Sequence, residues 1–416
     1  MKQHRVTPVR EIGASFCGPM PHIVVGITNA QTCLVFGGRL RALRNAGFQV
    51  TVLSSPGPML DCLAHEEHVE VLRIPMERRI APLADLRALC ALWRHLRRIR
   101  PDAVEFSTPK AGLLGMLASV LAGVPRRVYF MRGLKLESAT GLKRIILWLA
   151  EHTAAACAHV VLCNSPSLRK QAHALRIASM AKLHILGAGS SHGVDIEQFH
   201  PGPSNVRRRF GISVDGSQVV GYVGRLTRDK GIPELIAAFE QILLTMPQTF
   251  LLLVGWFDDA EDALDRELRQ RIAHHPRVIC TGYVADPAPC YRAMDLLVLP
   301  SRREGFPNVV LEASATGIPV VTTLSTGACD SVVDGETGLL VPPGNCEAIV
   351  AATSSLLRDP DKRRRMGEKA RARVVELFRS HRLDHLTAAF YANLLRTNDL
   401  LTPRRLSSMD WDAPLR

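Results

Sequence analysis

Residues 295–321 read DLLVLPSRREGFPNVVLEASATGIPVV and decide the local fold of the second half of the chain. The run DLLVLPS is apolar and rich in residues that favour strands, so it predicts a β-strand. Pro307 suits the first position of a helix, because its missing N–H group would have no partner there. Glu312 would then lie about five residues into the helix, roughly 7 Å along its axis, and Glu304 would lie just before the open N-terminus.

Glu304 and Glu312 have seven residues between them and are the side chains of this stretch best suited to bind a ligand. The N–H groups and the dipole of a helix N-terminus attract an anion, so the layout can hold a phosphate with a carboxylate on either side. Carboxylates beside a phosphate suit hydroxyl-rich groups, such as a ribose and a second sugar. A surface glutamate followed by an ordinary helix glutamate would give the same spacing, so this pair alone leaves both interpretations open.

The length and composition of the chain predict a folded protein of two or three domains. The chain has 416 residues, and a domain takes about 150. With 47% hydrophobic and 22% charged residues the chain is not disordered. The ten cysteines form no C-x-x-C pair and no cluster with histidines, which favours a reducing compartment and argues against a structural zinc site.

Neither a signal peptide nor a membrane span is predicted. The start, MKQHRVTPVREIGASFCGPMP, is basic but lacks the apolar core of about 7–15 residues that a signal peptide needs. The longest nearly uninterrupted apolar run, residues 111–125, is shorter than the roughly 20 residues that span a bilayer. We therefore expect a cytoplasmic protein.

The positive charge of the chain is concentrated in its first half. Residues 1–200 contain 25 lysines and arginines against 13 acidic residues, whereas the remainder contains 27 against 26. A one-sided basic surface indicates nucleic acid, anionic lipid or an anionic substrate. Aromatic residues make up only 5%, and no helix-turn-helix, zinc-finger or ribonucleoprotein pattern is present, so no nucleic-acid partner is expected. The stretch RHLRRIR, residues 94–100, ends an amphipathic helix that fits either an anionic membrane surface or a core-facing helix with a solvated basic face.

Strands and helices alternate along both halves of the chain. The helices include a long amphipathic one predicted at 141–157 and a charged helical stretch predicted at 360–390. HIVVGITNA from His22 begins the first series, QVVGYVGRL from Gln218 begins the second, and the turn-rich segment GVDIEQFHPGPSN from Gly193 lies between them. Such alternation predicts parallel sheets covered by helices on both faces, with ligands at the carboxyl ends of the strands. The pattern predicts two doubly wound domains that face each other across a cleft.

Two further motifs are candidates for phosphate binding. Arg225 and Lys230 flank a tight turn after the strand that ends at Gly224, and both side chains neutralise phosphate oxygens. A solvated basic loop is the alternative. Gly37 and Gly38 follow the first strand and open a helix, where glycines let backbone N–H groups approach a phosphate. Because a G-x-G-x-x-G pattern is missing, a plain turn also fits.

Taken together, these motifs resemble one family. The stretches GRLTRDKG, TGYVADP, LVLPSRREGFPNVVLEASATGIPVVTT and DSVVDGETGLLVPPGN are similar to the nucleotide-sugar domain of the family 4 retaining glycosyltransferases. STPKAGLLGMLASVLAGVP, RGLKLESATGLKR and GAGSSHGVDIEQFHP resemble a subgroup that builds bacterial capsule, exopolysaccharide and O-antigen repeat units. The likeness covers roughly residues 21–390.

The resemblance implies an α/β protein of GT-B architecture, with two Rossmann-like doubly wound domains. The expected organisation is a flexible N-terminal extension at 1–20, an N-terminal acceptor-binding domain at 21–195, a C-terminal nucleotide-sugar-binding domain at 196–380, and at 381–416 a C-terminal helix that packs back toward the N-terminal domain, followed by a tail.

The resemblance also implies three catalytic residues on the donor side. Arg225 and Lys230 would hold the donor diphosphate, joined by backbone N–H groups near Asn308 and Val309, and Glu304 would bind the transferred sugar. Further donor contacts are implied for the ribose at Glu312, the sugar pocket at Gly305 and Phe306, the diphosphate at Gly38, and the base, uracil, around Tyr283 and Val284. Neither a metal nor a cofactor is expected, because arginine and lysine neutralise the charge and no Asp-x-Asp pair ends a strand.

The first half departs from the family pattern. Many relatives carry histidine where this chain has Arg132, and often at the positions of Glu105 and Ser107. A histidine there would orient the acceptor or the donor sugar, so Arg132 is predicted instead to bind an anionic acceptor phosphate, with a structural arginine as the alternative. Lys110, which follows a strand in STPKAG, is also a candidate for acceptor phosphate. His192 in SSHGVD is expected to be a linker residue and not a catalyst.

The resemblance, together with the basic first half, implies a retaining glycosyltransferase on the cytoplasmic face of the plasma membrane. It would move a HexNAc-type or related sugar from a UDP-sugar to a polyprenyl-diphosphate-linked saccharide, bound peripherally to the anionic membrane surface. A glycosyltransferase with a soluble acceptor and a nucleotide-sugar-binding module without turnover remain alternatives.

Overall fold

The computed structural model describes residues 19–77, 79–212, 216–259 and 262–396. Most of the N-terminal extension predicted at 1–20 and the predicted tail beyond residue 396 therefore lie outside the described residues.

Two parallel sheets form from the apolar runs of the two halves. The first sheet consists of β1 (His22–Gly26), β2 (Gln49–Ser54), β3 (Glu70–Arg73), β4 (Ala103–Ser107), β5 (Arg126–Met131), β6 (Val160–Cys163) and β7 (Leu183–His184). Its strand order is β3-β2-β1-β4-β5-β6-β7. The strand order reverses between β1 and β4, as it does at the switch point of a doubly wound sheet.

The second sheet repeats this arrangement with six strands. They are β8 (Gln218–Val223), β9 (Thr249–Val254), β10 (Val278–Gly282), β11 (Leu296–Leu299), β12 (Val320–Thr323) and β13 (Gly338–Val341). The strand order is β10-β9-β8-β11-β12-β13. β8, β9, β11 and β12 consist almost wholly of buried residues, as expected for parallel strands covered on both faces. The strand order reverses between β8 and β11, so the loops that follow these two strands form the expected ligand crevice.

Helices connect the strands. They are α1 (Arg39–Asn45), α2 (Pro58–Glu67), α3 (Pro82–Ile99), α4 (Pro109–Leu121), α5 (Gly141–Cys157), α6 (Pro166–Ala174), α7 (Val206–Arg209), α8 (Ile232–Thr245), α9 (Arg266–His274), α10 (Ala288–Arg292), α11 (Asn308–Ala315), α12 (Cys346–Arg358), α13 (Pro360–Leu377) and α14 (Ser380–Arg396). Short 3-10 helices span Ala30–Val35 and Lys135–Ser138. None of the helices within the described residues is both long enough and apolar enough to cross a membrane.

The predicted helix bounds differ from the observed ones at two informative places. Pro307 is the N-cap of α11 and not its first helical residue, because its ψ of 104° is extended. The charged helical stretch 360–390 is two helices, since Phe378 ends α13 with its N–H bonded to the carbonyl of Val374 before α14 begins.

The chain divides into two compact units. The first is formed by the described parts of Met1–Tyr129 and Asp384–Arg416 together with Ala156–Val160. The second is formed by Phe130–Ala155 and the described part of Val161–Leu383. The core of the second unit contains the strands β8, β9, β11 and β12 and the buried faces of α8 and α11.

Candidate active site

The second unit brings together the two loops at the reversal point of its sheet. Arg225 and Lys230 lie in the loop after β8, and Glu304 lies in the loop after β11, and these two strands are paired neighbours. The carboxyl ends of adjacent parallel strands meet at one edge of the sheet, which is why residues about 75 positions apart in sequence become neighbours. Arg225, Lys230 and Glu304, the three residues predicted to be catalytic, therefore lie at the same edge of this sheet.

Lys230 and Glu304 form the centre of this site. The Lys230 Nζ lies 2.6 Å from Oε1 of Glu304, and the hydroxyl of the buried Ser301 donates to the same oxygen at 2.7 Å. The two side chains are only 19% and 12% exposed. Because both bonds go to Oε1, Oε2 can accept a hydrogen bond from a ligand hydroxyl. The lysine ammonium has three donors, so it can also reach a phosphate.

Glycines allow these loops to approach each other. Gly231, with φ of 74°, follows Lys230 and packs so tightly on β11 that a Cβ atom would lie 2.2 Å from the carbonyl oxygen of Pro300. A Cβ atom on Gly255, which follows β9, would lie 1.8 Å from the carbonyl oxygen of Gly224. Any side chain at these two positions would displace the backbone at one end of the Arg225–Lys230 loop.

Arg225 is held beside this pair by acidic residues. Its Nη1 donates to Oδ2 of Asp258 at 2.8 Å, and its Nη2 lies 3.8 Å from Asp229. Burial alone would raise the pKa of Asp229, but the hydrogen bond from Thr227 and three nearby cations lower it overall. Asp229 therefore stays ionised and holds the guanidinium, which is 36% exposed and keeps donors open to a ligand.

The N-terminus of α11 lies next along the chain. Its N-cap, Pro307, has no side-chain oxygen, so the first N–H groups of the helix, at Asn308 and Val309, are left for an anion. The side chain of Asn308 is fixed by the segment 190–193: its Oδ1 accepts from the hydroxyl of Ser190 at 3.1 Å, and its Nδ2 donates to the carbonyl of Gly193 at 3.1 Å. The imidazole of His192 also lies within 3.1 Å of Nδ2.

Gly305 places Glu304 against the backbone of other loops. A Cβ atom here would lie 2.0 Å from the carbonyl oxygen of Arg132 and 2.8 Å from Nδ2 of Asn164. The neighbouring Phe306 is 6% exposed, and its ring packs on Phe378 with 5.3 Å between centroids. The side chain of Phe306 thus belongs to the core, so only its backbone is available to line the sugar pocket predicted for it.

Glu312 lies on α11, where the hydroxyl of Tyr291 donates to its Oε2 at 2.6 Å. Burial raises the pKa of Glu312 to about 7, and the Tyr291 hydrogen bond opposes that rise only in part. A carboxylate with such a pKa gains from additional donors when it ionises, and the hydroxyls of a ribose would supply them.

The residues predicted to contact the base lie at the carboxyl end of β10. Tyr283 is 58% exposed, whereas Val284 packs partly against the core. Trp256, in the loop after β9, meets the Tyr283 ring edge to face with 5.7 Å between centroids. The carbonyl of Trp256 accepts from the N–H of Leu226 at 2.9 Å, which joins this aromatic pair to the arginine loop. Sequence reasoning missed Trp256, although a tryptophan directly after an apolar strand is a usable signal.

Arg132 follows β5 and lies in the same unit as the donor residues. Its guanidinium lies over the ring of Phe130, 4.0 Å from the centroid. Its carbonyl oxygen is the closest neighbour of the Cβ position of Gly305. The structure therefore places Arg132 beside the Glu304 loop, and phosphate binding by its side chain stays a prediction.

Two predicted residues belong to the first unit. Gly38 is the N-cap of α1 and has a φ of 87°, which glycine adopts without strain. A 3-10 helix separates it from β1, so the glycine pair does not follow the strand directly. The Nζ of Lys110 lies 2.6 Å from Oδ1 of Asp85. The ammonium also donates to the carbonyl of Arg79, which leaves one of its three donors, and the acceptor role of Lys110 stays a prediction.

Glu105, at a position where relatives often carry histidine, has a structural role. The carboxylate is fully buried and pairs with the buried Arg39, whose Nη1 donates at 2.8 Å. The hydroxyl of Tyr391 donates to Oε2 of Glu105 at 2.6 Å. Glu105 therefore holds α1 and α14 to β4 and does not face a ligand. Sequence reasoning could not have paired these residues, which lie far apart in the chain.

The described residues offer no set of metal ligands, and they form a cavity away from the predicted site. Among the described residues, no cluster of three or more histidine, cysteine, aspartate or glutamate side chains could hold a metal ion. A cavity of about 300 Å³ in the first unit is lined by residues around β2, including Phe48 and Glu70, and none of the predicted site residues line it.

Two family models match the chain. The model described as glycosyl transferases group 1 matches residues 217–359, and the model described as glycosyl transferase 4-like domain matches residues 36–189. The capsular polysaccharide biosynthesis glycosyltransferase CapM of Staphylococcus aureus is 34% identical over 374 residues, which is 90% of this chain and 97% of CapM. The UDP-Gal:alpha-D-GlcNAc-diphosphoundecaprenol alpha-1,3-galactosyltransferase of Escherichia coli is 26% identical over 318 residues, 74% of this chain and 80% of that protein.

Solved structures share the fold. Anabaena Alr3699/HepE in complex with UDP-glucose superposes with a TM-score of 0.75 at 23% identity, covering 89% of this chain and 99% of HepE. Sucrose-phosphate synthase from Thermosynechococcus elongatus gives the same score and identity, covering 90% of this chain and 99% of its own. At such identities the likeness concerns the fold alone, and it confirms the predicted pair of Rossmann-like domains.

Proposed function

Because the chain belongs to the family 4 glycosyltransferases, we propose that it transfers a HexNAc-type or related sugar from a UDP-sugar to a saccharide linked to polyprenyl diphosphate. The capsule enzyme CapM and the galactosyltransferase named for a diphosphoundecaprenol acceptor support this choice. The UDP-glucose bound to HepE supports a uridine diphosphate donor. The observation that carries the proposal is the Lys230–Glu304 pair beside the N-terminus of α11.

In this proposal the donor diphosphate lies between the two cations and α11. Arg225, Lys230 and the N–H groups of Asn308 and Val309 bind its oxygens. Glu312 accepts hydrogen bonds from the ribose hydroxyls. Oε2 of Glu304 accepts from a hydroxyl of the transferred sugar. No metal is needed in this arrangement, since two side-chain cations and a helix N-terminus neutralise the diphosphate.

The proposed reaction is a displacement that retains the anomeric configuration. The bond from C1 of the sugar to the diphosphate oxygen breaks as the acceptor hydroxyl forms its bond to C1 from the same face. The acceptor proton passes to an oxygen of the leaving diphosphate. Arg225 and Lys230 stabilise the negative charge that develops on this diphosphate, so catalysis is mainly electrostatic and uses no side chain as a general base.

The acceptor side of the proposal places the protein on the cytoplasmic face of the plasma membrane. A polyprenyl-linked saccharide stays in the bilayer, so the enzyme has to meet it at the membrane surface. The excess of basic residues within residues 1–200 supports binding to an anionic surface.

Replacement of Glu304 tests the proposal. We expect Glu304→Ala to abolish sugar transfer while UDP still binds, because the side chain contacts the sugar and not the nucleotide. Glu240→Ala is the matched control, since this exposed glutamate pairs with Arg271 on the surface of the same unit. Transfer at the wild-type rate by Glu304→Ala would refute the role of the site. Binding of UDP-sugar without any turnover by the wild type would identify a binding module instead.

A further inference from the structure

The first turns of α5 expose an apolar face. Leu142, Ile145, Ile146 and Leu149 are 72%, 56%, 40% and 51% exposed. They are spaced i, i+3, i+4 and i+7, so they lie on one side of the helix. Single exposed apolar residues are normal, but a contiguous stripe on one helix indicates a binding surface. We call these four residues the α5 face.

Two lysines lie close to the α5 face. Lys143 is in the first turn of α5, which contains no acidic residue, and Lys135 lies exposed just before the helix. Arg144 lies on the opposite side of the helix, in line with the buried Glu151, and donates to the carbonyl of Leu136 at 3.2 Å. Together with the positive N-terminal end of the helix, the two lysines complement an anionic surface.

The α5 face is linked to the site by its preceding segment. Glu137, four residues before α5, accepts a hydrogen bond from the hydroxyl of Thr326 at 2.7 Å, and the carbonyl of Thr326 accepts from the N–H of Glu304 at 3.1 Å. The carbonyl of Arg132 packs on Gly305. The segment that carries the α5 face is thus anchored to the loop that carries Glu304.

We propose that the α5 face docks the protein on an anionic lipid bilayer, with the start of α5 lying in the plane of the headgroups and its four apolar side chains inserted. This inference rests on the proposed function in one respect: docking on the bilayer would bring the protein to a lipid-linked acceptor. An amphipathic helix with basic flanks binds in this way.

A second copy of the chain fits the α5 face less well. The α5 face has four side chains, whereas each partner in a stable interface contributes about 20–30 residues. A symmetric pair would also bring Lys143 of one copy toward Lys143 of the other. The charges that favour an anionic bilayer therefore disfavour self-association.

Vesicle flotation of the full chain tests this inference without nucleotide or acceptor. The probes are phosphatidylcholine vesicles with and without phosphatidylglycerol. Leu142→Ser combined with Ile145→Ser removes apolar contact, and Lys135→Gln combined with Lys143→Gln removes charge. Leu244→Ser is the control, because Leu244 is an isolated leucine of α8 with 84% exposure.

We expect the wild type and Leu244→Ser to float with the anionic vesicles. The apolar double variant should partition roughly 100-fold less, since each half-exposed leucine or isoleucine contributes about tenfold. The charge variant should bind about tenfold less and show a weaker salt dependence, because other basic residues remain. Equal flotation of the apolar double variant and the wild type would overturn the inference, as would wild type that stays unbound or binds only as a dimer through this face.

Two further measurements separate this inference from the proposed function. Circular dichroism checks that each variant is folded, which we expect because all the altered side chains are exposed. UDP release with a short, water-soluble acceptor analogue should be unchanged in the apolar double variant if only docking is lost. Vesicle binding that persists while UDP-sugar is never turned over would uphold docking and reject the proposed reaction.

Discussion

Replacement of Gly305 by alanine should disable the site by displacing the loop that carries Glu304. The added Cβ would lie 2.0 Å from the carbonyl oxygen of Arg132, although such contacts are essentially never closer than 3.0 Å. The loop must therefore move by about 1 Å, and a change of rotamer cannot relieve the contact because the neighbour is backbone. A misplacement of about 1 Å at a reacting group costs about 100-fold in rate.

The stability effect of Gly305→Ala should be modest by comparison. Overpacking of a filled site costs about 1–3 kcal/mol, so the protein should remain folded with a melting temperature lowered by a few degrees. The assay is UDP release in the presence of acceptor, together with the melting temperature. Gly202→Ala is the matched control, because its Cβ would meet its nearest neighbour, the ring of His200, at an ordinary 3.6 Å. Wild-type turnover by Gly305→Ala would refute the close packing of the Glu304 loop as the device that positions the carboxylate.

Three other perturbations address separate parts of the molecule. Lys230→Ala should lower kcat about 100- to 1,000-fold, because the leaving diphosphate loses a preorganised cation, and steady-state kinetics with unchanged kcat would contradict this. The pKa of Glu312 is raised to about 7, and the ribose hydroxyls favour its ionised form. The affinity of the wild type for UDP, divided by that of Glu312→Gln, should therefore rise as the pH increases through about 7. Calorimetric titrations of both proteins over this pH range test this, and a ratio that does not change with pH would argue against the ribose contact. Glu105→Gln should destabilise the protein by about 3–5 kcal/mol, because it leaves the charge of Arg39 buried without its partner. Glu240→Gln, at an exposed position, should destabilise it by less than about 1 kcal/mol. Equal denaturation midpoints for the two variants would refute the structural role of the buried Glu105–Arg39 pair.

The parts of the fold that follow from local pattern were predictable from the sequence. β11 is a continuous apolar run bounded by turn residues, and α11 begins within one residue of the predicted position. α5 was predicted with the bounds that the structure shows, because its apolar periodicity is strong. Lys230 and Glu304 could be expected to meet, since both follow neighbouring strands of a doubly wound sheet.

The parts that depend on distant contacts were not predictable. The partners of Glu105 are Arg39 and Tyr391, and no local rule links residues so far apart. The side chain of Asn308 is held by the segment 190–193 for the same reason. The exposure of the α5 face also escaped prediction, because periodicity shows that a helix is amphipathic but not whether its apolar side is covered.

The most direct test of the central claim is acceptor-dependent UDP release from a panel of UDP-sugars. The wild type is incubated with each donor and a polyprenyl-diphosphate monosaccharide, and the mass of the lipid product is measured by mass spectrometry. We predict that UDP is released with a HexNAc-type or related donor only when the acceptor is present, and that the lipid gains the mass of one sugar residue. Folded protein that releases no UDP with any donor in the panel, or leaves the mass of the lipid unchanged, would contradict the proposed transfer.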